Sequence, residues 1–310
     1  MTAMTAIAEW NGVTRRYRNV VAVQDVTLAL HPGEATALVG HNGAGKTTLI
    51  KLLLGLIRPD EGTVRVSGFD PAGARGSEAR RTVGFLPENV AFHGAMTGNE
   101  LMSFYARLKQ HSPQRNGELL SLVGIADAAG RRVSTYSKGM RQRLGIAQAL
   151  IGEPRLLLFD EPTSGLDPAS RIDVFNTIDM LRGSGATVLV STHALAEVEN
   201  RVDRVAVMHR GSLLAAGTLD QLRQGVVPDV GLRLRVRRCD TARLLAQLPP
   251  GIDCTRRDED TLVLRVPAAA KMTALRALAA MDEHVEDIET QTPGLEDLYR
   301  RLVQQEAGAA

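Results

Sequence analysis

The chain has 310 residues, of which 44% are hydrophobic and 23% charged, and its formal net charge is +2 at pH 7. These fractions are those of an ordinary soluble protein, and the small net charge gives no electrostatic reason to expect a nucleic-acid partner. The apolar stretches fall short of the roughly 18 residues that a spanning helix needs, and residues 1–10 lack the basic and apolar regions of a signal peptide. We therefore expect neither export nor self-anchoring in a membrane.

From residue 8 to about residue 217, short β-branched runs alternate with segments of helical period. This alternation predicts an α/β fold, with a mainly parallel sheet covered by helices. Four apolar runs bounded by glycine, proline or charge are predicted as buried strands: 35–39, 156–159, 187–190 and 205–208.

Between about residues 89 and 154 such strand-like runs are absent. Leu101, Phe104, Tyr105 and Leu108 recur there at helical spacing, and we expect this stripe to face the core. The stretch is predicted as a helical insertion on the sheet domain.

A domain boundary is predicted where residues 225–228, Gly-Val-Val-Pro, interrupt the pattern. Residues 1–224 then form the first domain and residues 225–310 the second. The predicted elements of the second domain are strand 231–238, helix 240–248, strand 252–257, strand 261–267, helix 269–281, strand 284–290 and a last helix 294–306. Up to the last helix, this is the βαββαβ order of a small ferredoxin-like α+β domain.

Two sets of side chains in the second domain are of types that can bind ligands. Arg233, Arg235 and Arg237 alternate with apolar residues, which one half-solvated strand face requires; a nucleic-acid patch is the alternative. Cys239 and Cys254, the only cysteines, have neither metal-ligand nor redox spacing. Neither set predicts a nucleic-acid or metal site.

A glycine-rich segment, residues 40–47 (GHNGAGKT), follows the first predicted strand and precedes a helical pattern. This is the context of a P-loop, whose glycines let the backbone turn its N–H groups inward around a phosphate. Lys46 would supply a positive charge to the β- and γ-phosphates of a nucleotide, and the Thr47 hydroxyl would be a ligand of Mg²⁺. The candidate nucleotide contacts here are Gly40, Asn42, Gly43, Gly45, Lys46, Thr47 and Thr48.

The predicted strand at 156–159 ends in two carboxylates, Asp160 and Glu161. Strand alternation points the two side chains in different directions, which allows them separate roles. Asp160 is predicted to hold the Mg²⁺ shell, which leaves Glu161 to polarise the attacking water, a role worth about 10² to 10⁴-fold in rate. An acidic pair at a strand end is otherwise often only solvated, so these roles depend on the nearby P-loop.

Residues 136–144, YSKGMRQRL, open a helix and resemble the signature sequence of ABC ATPases. Ser137 is predicted to cap this helix and, with the backbone N–H groups near Gly139, to offer a second anion site. In the family, this site closes on the γ-phosphate held by the P-loop of the opposite protomer. The departures from the usual pattern are Tyr136, Lys138 and Met140, where Leu, Gly and Gln are common.

The resemblance implies roles for three more residues. Tyr17 matches the aromatic residue that stacks on adenine, and His193 matches the switch histidine that contacts the γ-phosphate. Asp167 ends a segment, residues 164–167, that matches the D-loop, which crosses the dimer interface in the family. Alone, none of the three would indicate a function.

Residues 84–88, GFLPE, match the Q-loop of the same family, with Glu88 where most members have Gln. Glu can coordinate Mg²⁺, but it adds a negative charge and lacks the amide donor. We therefore expect Glu88 at the metal and the reacting water, and we prefer Glu161 as the general base.

The resemblance covers about the first 220 residues and implies the ATPase subunit of an ABC transporter. Its cofactors would be ATP and Mg²⁺, and its partners a second copy, forming a homodimer through the ATP sandwich, and a polytopic membrane subunit. Its place would be the cytoplasmic face of the membrane. Residues 85–92, 131–150 and 292–299 also resemble the ATPase subunit encoded with nitrous-oxide reductase. That resemblance implies a role in maturation of a copper-sulfur centre, with a periplasmic accessory protein as a further partner.

Two alternatives stay open. The ATPase of a drug or lipid exporter shares the single ATPase domain and a C-terminal extension of similar size. A soluble ABC protein that acts on ribosomes or DNA usually has two ATPase domains, a long coiled-coil insertion or zinc ligands, and this sequence has none of these.

Overall fold

The structure is a computed structural model that describes residues 5–225, 230–237, 244, 248, 251–258, 260–281, 284–291 and 294–309. It separates into two compact units, Met1–Thr218 and Leu219–Ala310. The division lies near the predicted domain boundary at residues 225–228. Within the described ranges, no helix is long and apolar enough to cross a lipid bilayer.

The first unit combines two sheets with helices. Its strands are β1 (Ala8–Tyr17), β2 (Val20–Leu30), β3 (Ala35–Val39), β4 (Glu61–Val66), β5 (Val83–Leu86), β6 (Leu156–Asp160), β7 (Thr187–Thr192), β8 (Arg204–His209) and β9 (Ser212–Gly217). Its helices are α1 (Lys46–Leu53), α2 (Gly76–Arg81), α3 (Gly98–Leu108), α4 (Asn116–Leu122), α5 (Lys138–Ala149), α6 (Pro168–Gly183) and α7 (Leu195–Val198). All four predicted strands form, as β3, β6, β7 and β8.

The central sheet has six strands in the order β5-β6-β7-β3-β8-β9 and is parallel except for its last pair. Strands β3, β6 and β7 consist entirely of buried residues, as expected for parallel strands covered on both faces. This sheet is the one that the sequence predicts.

A second, antiparallel sheet has the order β2-β1-β4 and was not predicted from the sequence. Trp10 of β1 is fully buried and donates its indole N–H to the Leu49 carbonyl oxygen of α1 at 3.3 Å. The antiparallel sheet is therefore tied directly to the helix that follows the P-loop.

The fully described segment between β5 and β6 contains α3, α4 and α5 and no strand, as predicted for the helical insertion. Helix α3 starts with a capping box, in which the Thr97 hydroxyl accepts the Glu100 N–H and the Glu100 carboxylate accepts the Thr97 N–H. Of the apolar stripe expected to face the core, Leu101 is buried, but Phe104 is 46% and Leu108 67% exposed. That expectation is wrong for the latter two because the stripe is wider than the buried face of the helix.

The second unit is built on a four-stranded antiparallel sheet of order β11-β12-β10-β13. Its elements are α8 (Leu219–Gly225), β10 (Val230–Val236), β11 (Asp253–Arg256), β12 (Thr261–Val266), α9 (Lys271–Ala279), β13 (Val285–Gln291) and α10 (Leu295–Ala309). Apart from its first helix, the predicted βαββαβ order is present in these elements. Its first helix, predicted for 240–248, lies outside the described residues except for Leu244 and Leu248.

The alternation in β10 separates the two faces of this sheet. Leu232 and Leu234 are fully buried in the core of the unit, whereas Arg233, Arg235 and Arg237 are exposed. Arg237 and Arg233 face acidic residues of β13, at 2.9 Å from Glu286 and 3.7 Å from Glu289 respectively. The arginines therefore form the half-solvated face that the alternation predicts.

Candidate active site

Three functional segments meet at the carboxyl ends of adjacent parallel strands. In the strand order β6-β7-β3, Asp160 pairs with Ser191 and Val39 pairs with Thr192, so the segments after these strands leave the sheet side by side. This edge is the usual ligand site of open α/β sheets. The P-loop, the acidic pair and His193 are thereby brought together.

The P-loop backbone needs glycine where it passes close to its neighbours. Gly45 has a φ of 104°, and a Cβ there would lie 2.6 Å from the Ala22 carbonyl oxygen. A Cβ on Gly40 would overlap the Met208 carbonyl oxygen, whereas at Gly43 nothing lies within 4 Å. Helix α1 starts directly after Gly45 without a side-chain cap, so its first N–H groups are available to a phosphate.

Lys46 lies at the centre of the site with only 6% of its side chain exposed. Its Nζ donates to the carbonyl oxygens of Gly40 at 2.5 Å and His41 at 3.3 Å, and lies 3.1 Å from Glu161 Oε1. Phosphate oxygens are stronger partners for an ammonium group than backbone carbonyls are. Lys46 is therefore held by groups that it can exchange for the phosphates of a nucleotide.

Glu161 adopts a left-handed backbone conformation, with φ of 48°, which costs a non-glycine residue about 1–2 kcal/mol. Its N–H donates to the hydroxyl of Ser191 at 2.9 Å, and its Oε2 lies 2.8 Å from His193 Nδ1. The 3.1 Å approach of Oε1 to Lys46 Nζ is a charge contact, because Oε1 has no aligned hydrogen bond. Oε1 therefore keeps its capacity to accept a proton from water.

Asp160 is buried and fixed through its Oδ1 atom. The Ser191 hydroxyl donates to Oδ1 at 2.5 Å, and the Thr47 hydroxyl does so at 3.4 Å. A carboxylate beside a threonine hydroxyl fits Mg²⁺, which takes few protein ligands and completes its shell with phosphate oxygens and water. Among the described residues, no three His, Cys, Asp or Glu side chains form a metal-holding group. The donor set fits a metal that arrives with a nucleotide.

Ser191 is a site residue that sequence reasoning missed. It is fully buried, and it holds both carboxylate residues by donating to Asp160 and accepting the N–H of Glu161. The available signal was a hydroxyl residue at the end of an apolar strand, just before Thr192 and His193. Its importance follows only from the pairing of β6 with β7.

We expect Ser191→Ala to raise the Mg²⁺ concentration needed for half-maximal ATPase activity about tenfold, because Ser191 holds Asp160, the predicted Mg²⁺ ligand, and removing a hydrogen bond to such a ligand loosens it. The measurement is a Mg²⁺ titration of the steady-state rate. Ser191→Thr, which keeps the hydroxyl, should restore the wild-type titration. An alanine variant with an unchanged Mg²⁺ requirement would contradict the role of Ser191.

The signature turn is the start of the segment 136–144, and it has the Ser137 cap that the sequence predicts. The Ser137 hydroxyl accepts the Met140 N–H at 3.2 Å at the start of α5. A Cβ on Gly139 would lie 2.5 Å from Ser170 Oγ on α6, and the Lys138 ammonium lies over Gly165 of the D-loop. The signature turn is therefore packed against the D-loop segment of the same chain.

Two features of the signature turn concern charge. Burial raises the pKa of Tyr136, whose hydroxyl donates to the Ala128 carbonyl oxygen at 2.7 Å. The first turn of α5 holds Lys138 and Arg141 and no acidic residue. Positive side chains at the positive end of a helix dipole are unfavourable without a nearby anion. This charge arrangement favours an anion at the turn.

The remaining nucleotide candidates lie around the cluster. Tyr17 is 40% exposed, with the Arg15 guanidinium 5.0 Å from its ring centre. Asn42 is exposed, and Thr48 is half-buried on α1. In the described part of the chain, no hydrogen bond or ion pair joins Ser137 to the P-loop. Contacts of these residues with a nucleotide stay predictions.

Asp167 and Glu88 have different surroundings. Asp167 caps α6 by accepting the backbone N–H of Ser170 at 3.0 Å and its hydroxyl at 2.7 Å. These bonds hold the pKa of Asp167 below its ordinary value.

Glu88 is exposed and makes no hydrogen bond or ion pair with the residues that the structure describes. Its proposed places at the metal and the reacting water stay predictions.

Comparison with known proteins places this site in a family. A family model described as ABC transporter matches residues 23–164. The chain is 34% identical over 303 residues to the daunorubicin resistance ATP-binding protein DrrA3 of Streptomyces coeruleorubidus, covering 94% of each. It is 30% identical over 307 residues to the linearmycin resistance ATP-binding protein LnrL of Bacillus subtilis (strain 168), covering 94% of this chain and 96% of that protein. A solved ATP binding subunit of an ABC transporter is 31% identical, with a TM-score of 0.65 over 71% of this chain and 92% of that one.

The similarity to these relatives covers nearly the whole chain and includes the second unit. The solved structure shares the fold over 71% of this chain. The chain therefore belongs to the ABC transporter family, as one of its ATP-binding, ATP-hydrolysing subunits.

Proposed function

We propose that the chain is the motor subunit of an ABC exporter for drug-like molecules, and that ATP binding closes, and hydrolysis reopens, a dimer of this chain. The observation that carries the hydrolytic assignment is the position of the buried Glu161 carboxylate. It lies 3.1 Å from Lys46 Nζ on one side and 2.8 Å from His193 Nδ1 on the other. The proposed base, Glu161, thereby lies next to both the phosphate-binding Lys46 and His193, the proposed sensor of the γ-phosphate.

The residues divide the work of hydrolysis among them. Lys46 binds the β- and γ-phosphates, and the first N–H groups of α1 surround the same oxygens. Asp160 and Thr47 would hold Mg²⁺, which neutralises charge on the phosphates when it is bound. Glu161 accepts a proton from the attacking water, and His193 orients the γ-phosphate.

A dimer of this chain would complete the site. The signature turn presents a capped helix start with basic residues and no acid, yet in the described part of the chain no hydrogen bond or ion pair joins Ser137 to its own P-loop. In a twofold dimer, each Ser137 can lie opposite the partner's phosphate-binding loop. Because one chain holds both halves, a homodimer supplies two complete sites.

The cargo proposal draws on the relatives. The two proteins described above are named for resistance to daunorubicin and linearmycin, and their similarity to this chain includes the second unit. This favours a drug exporter, with a polytopic membrane subunit and a place on the inner face of the membrane. The names of these relatives give no support to a role in maturation of nitrous-oxide reductase, with its copper-sulfur cargo and periplasmic accessory protein. We therefore rank that role below drug export.

Deletion of the gene from its host tests this proposal. We expect sensitisation to amphiphilic drugs with the copper-sulfur centre of nitrous-oxide reductase intact. Tagged chain purified from detergent-solubilised membranes should retain a polytopic protein, and the drug should stimulate ATPase activity of that complex. If the deletion strain loses the copper-sulfur centre and keeps its drug resistance, the cargo assignment is wrong. If the tagged chain is purified with ribosomes or DNA and without a membrane protein, the assignment to a transporter is wrong.

A further inference from the structure

The turn that follows Glu161 is under conformational constraint. Glu161 has a φ of 48°, in the left-handed region. Beyond it, the Ser164 N–H donates to the Glu161 carbonyl oxygen, and the Leu166 N–H donates to the Thr163 carbonyl oxygen, both at 3.1 Å. A strained backbone conformation persists only where its surroundings fix it. The contacts around the turn should therefore show which groups hold it in this conformation.

Glu197, on the short helix α7, provides that support. Its Oε2 accepts the Thr163 hydroxyl at 2.9 Å, and its Oε1 accepts Arg171 Nη1 at 2.9 Å. Arg171 Nε in turn donates to the Leu166 carbonyl oxygen at 3.0 Å. Thr163 is only 6% exposed, so its hydroxyl has little access to water as a substitute partner. One carboxylate therefore ties down both ends of the turn.

We propose that Glu197 is a positioning residue for ATP hydrolysis: with Arg171 it holds the turn after Glu161, and so keeps the Glu161 carboxylate between Lys46 and His193. Among the described residues, no hydrogen bond or ion pair joins Glu197 to the P-loop; its bonds go to Thr163 and Arg171, so we infer that it acts through the turn. The inference rests on the proposed role of Glu161 as the general base.

The expected cost of losing this support is in rate more than in stability. The side chains of Arg171 and Glu197 are 44% and 22% exposed. Ion pairs so exposed add little to stability, because water screens them and competes for the charged groups. A small displacement of a general base, in contrast, lowers the rate substantially. A structural role and a positioning role therefore predict different readouts.

We expect Glu197→Ala to lower kcat about tenfold, with KM for ATP changed less than about twofold and Tm nearly unchanged. Glu197→Gln keeps an acceptor for the Thr163 hydroxyl but loses the charge facing Arg171, so its kcat should be intermediate. Arg171→Ala combined with Glu197→Ala should lower kcat no further than the larger single effect, because both act through one turn.

The matched control is Asp179→Ala. Asp179 on α6 pairs with Arg201, just beyond α7, at 2.7 Å, so it ties the same two regions without touching the turn. Its kcat should stay at the wild-type value. Equal loss of kcat in the control, additive effects of Glu197 and Arg171, or a rise in KM without a fall in kcat would each overturn the inference.

The proposed role of Glu161 fails separately. Turnover that persists in Glu161→Gln would overturn the assignment of the base, whatever Glu197→Ala does. Turnover that is lost in Glu161→Gln but unchanged in Glu197→Ala would overturn only the positioning role.

Discussion

Glu161→Gln is expected to retain ATP binding while steady-state hydrolysis falls by about 10² to 10⁴-fold. Glutamine preserves the shape of the side chain and a hydrogen bond to His193, but its amide cannot take a proton from water. Lys46 keeps the carbonyl oxygens of Gly40 and His41 as partners, so the phosphate-binding loop should stay intact. Binding of labelled ATP and release of phosphate, measured on the same preparation, test the two halves of this prediction.

Glu88→Gln is the matched control, because it makes the same chemical change at an exposed carboxylate of the same sheet edge. It should keep turnover within about threefold of the wild-type rate, since Gln is the residue that most family members have at this place in the Q-loop, and Glu88 makes no hydrogen bond or ion pair with the described residues that Gln would lose. If turnover is retained in Glu161→Gln and lost in Glu88→Gln, Glu88 and not Glu161 is the general base.

The residues that sequence reasoning found are those encoded in short segments of the chain. The P-loop, the acidic pair after β6 and the cap of α5 each depend on a few consecutive residues, so their chemistry is visible locally. Strands β3, β6 and β7 were predicted for the same reason, because strands buried on both faces are continuous apolar runs. The antiparallel sheet was not predicted, because its long strands have register shifts that break the period of two.

Ser191 and Glu197 show what a single sequence conceals. Ser191 matters because β6 and β7 are neighbours, which places its hydroxyl 2.5 Å from an atom of Asp160. Glu197 matters because α7 lies against the turn after Glu161. Its partner in that turn, Thr163, is 34 residues away along the chain. Both proposed roles arise from tertiary packing, and the residues next to Ser191 and Glu197 in the sequence do not reveal them.

Replacing Lys46 with Met should lower affinity for ATP and also destabilise the protein without nucleotide. Removing a hydrogen bond to a charged partner costs about 1.5–3 kcal/mol, or roughly 10 to 100-fold in the dissociation constant for ATP. The same change leaves the Glu161 carboxylate, only 9% exposed, without its cation. Breaking one partner of a buried pair typically costs about 3–5 kcal/mol. Calorimetric titration and thermal unfolding measure the two effects separately.

The double variant Lys46→Met with Glu161→Gln separates the buried charge from the lost phosphate ligand. Replacing the carboxylate with an amide removes the uncompensated charge, so Tm should recover most of what Lys46→Met loses. Affinity for ATP should stay low, because no cation has been returned to the loop. Recovery of stability without recovery of binding would show that Lys46 and Glu161 are coupled as a pair in the nucleotide-free protein. Additive losses of stability would instead mean that their 3.1 Å contact contributes nothing, and that Lys46 is held by the loop carbonyls alone.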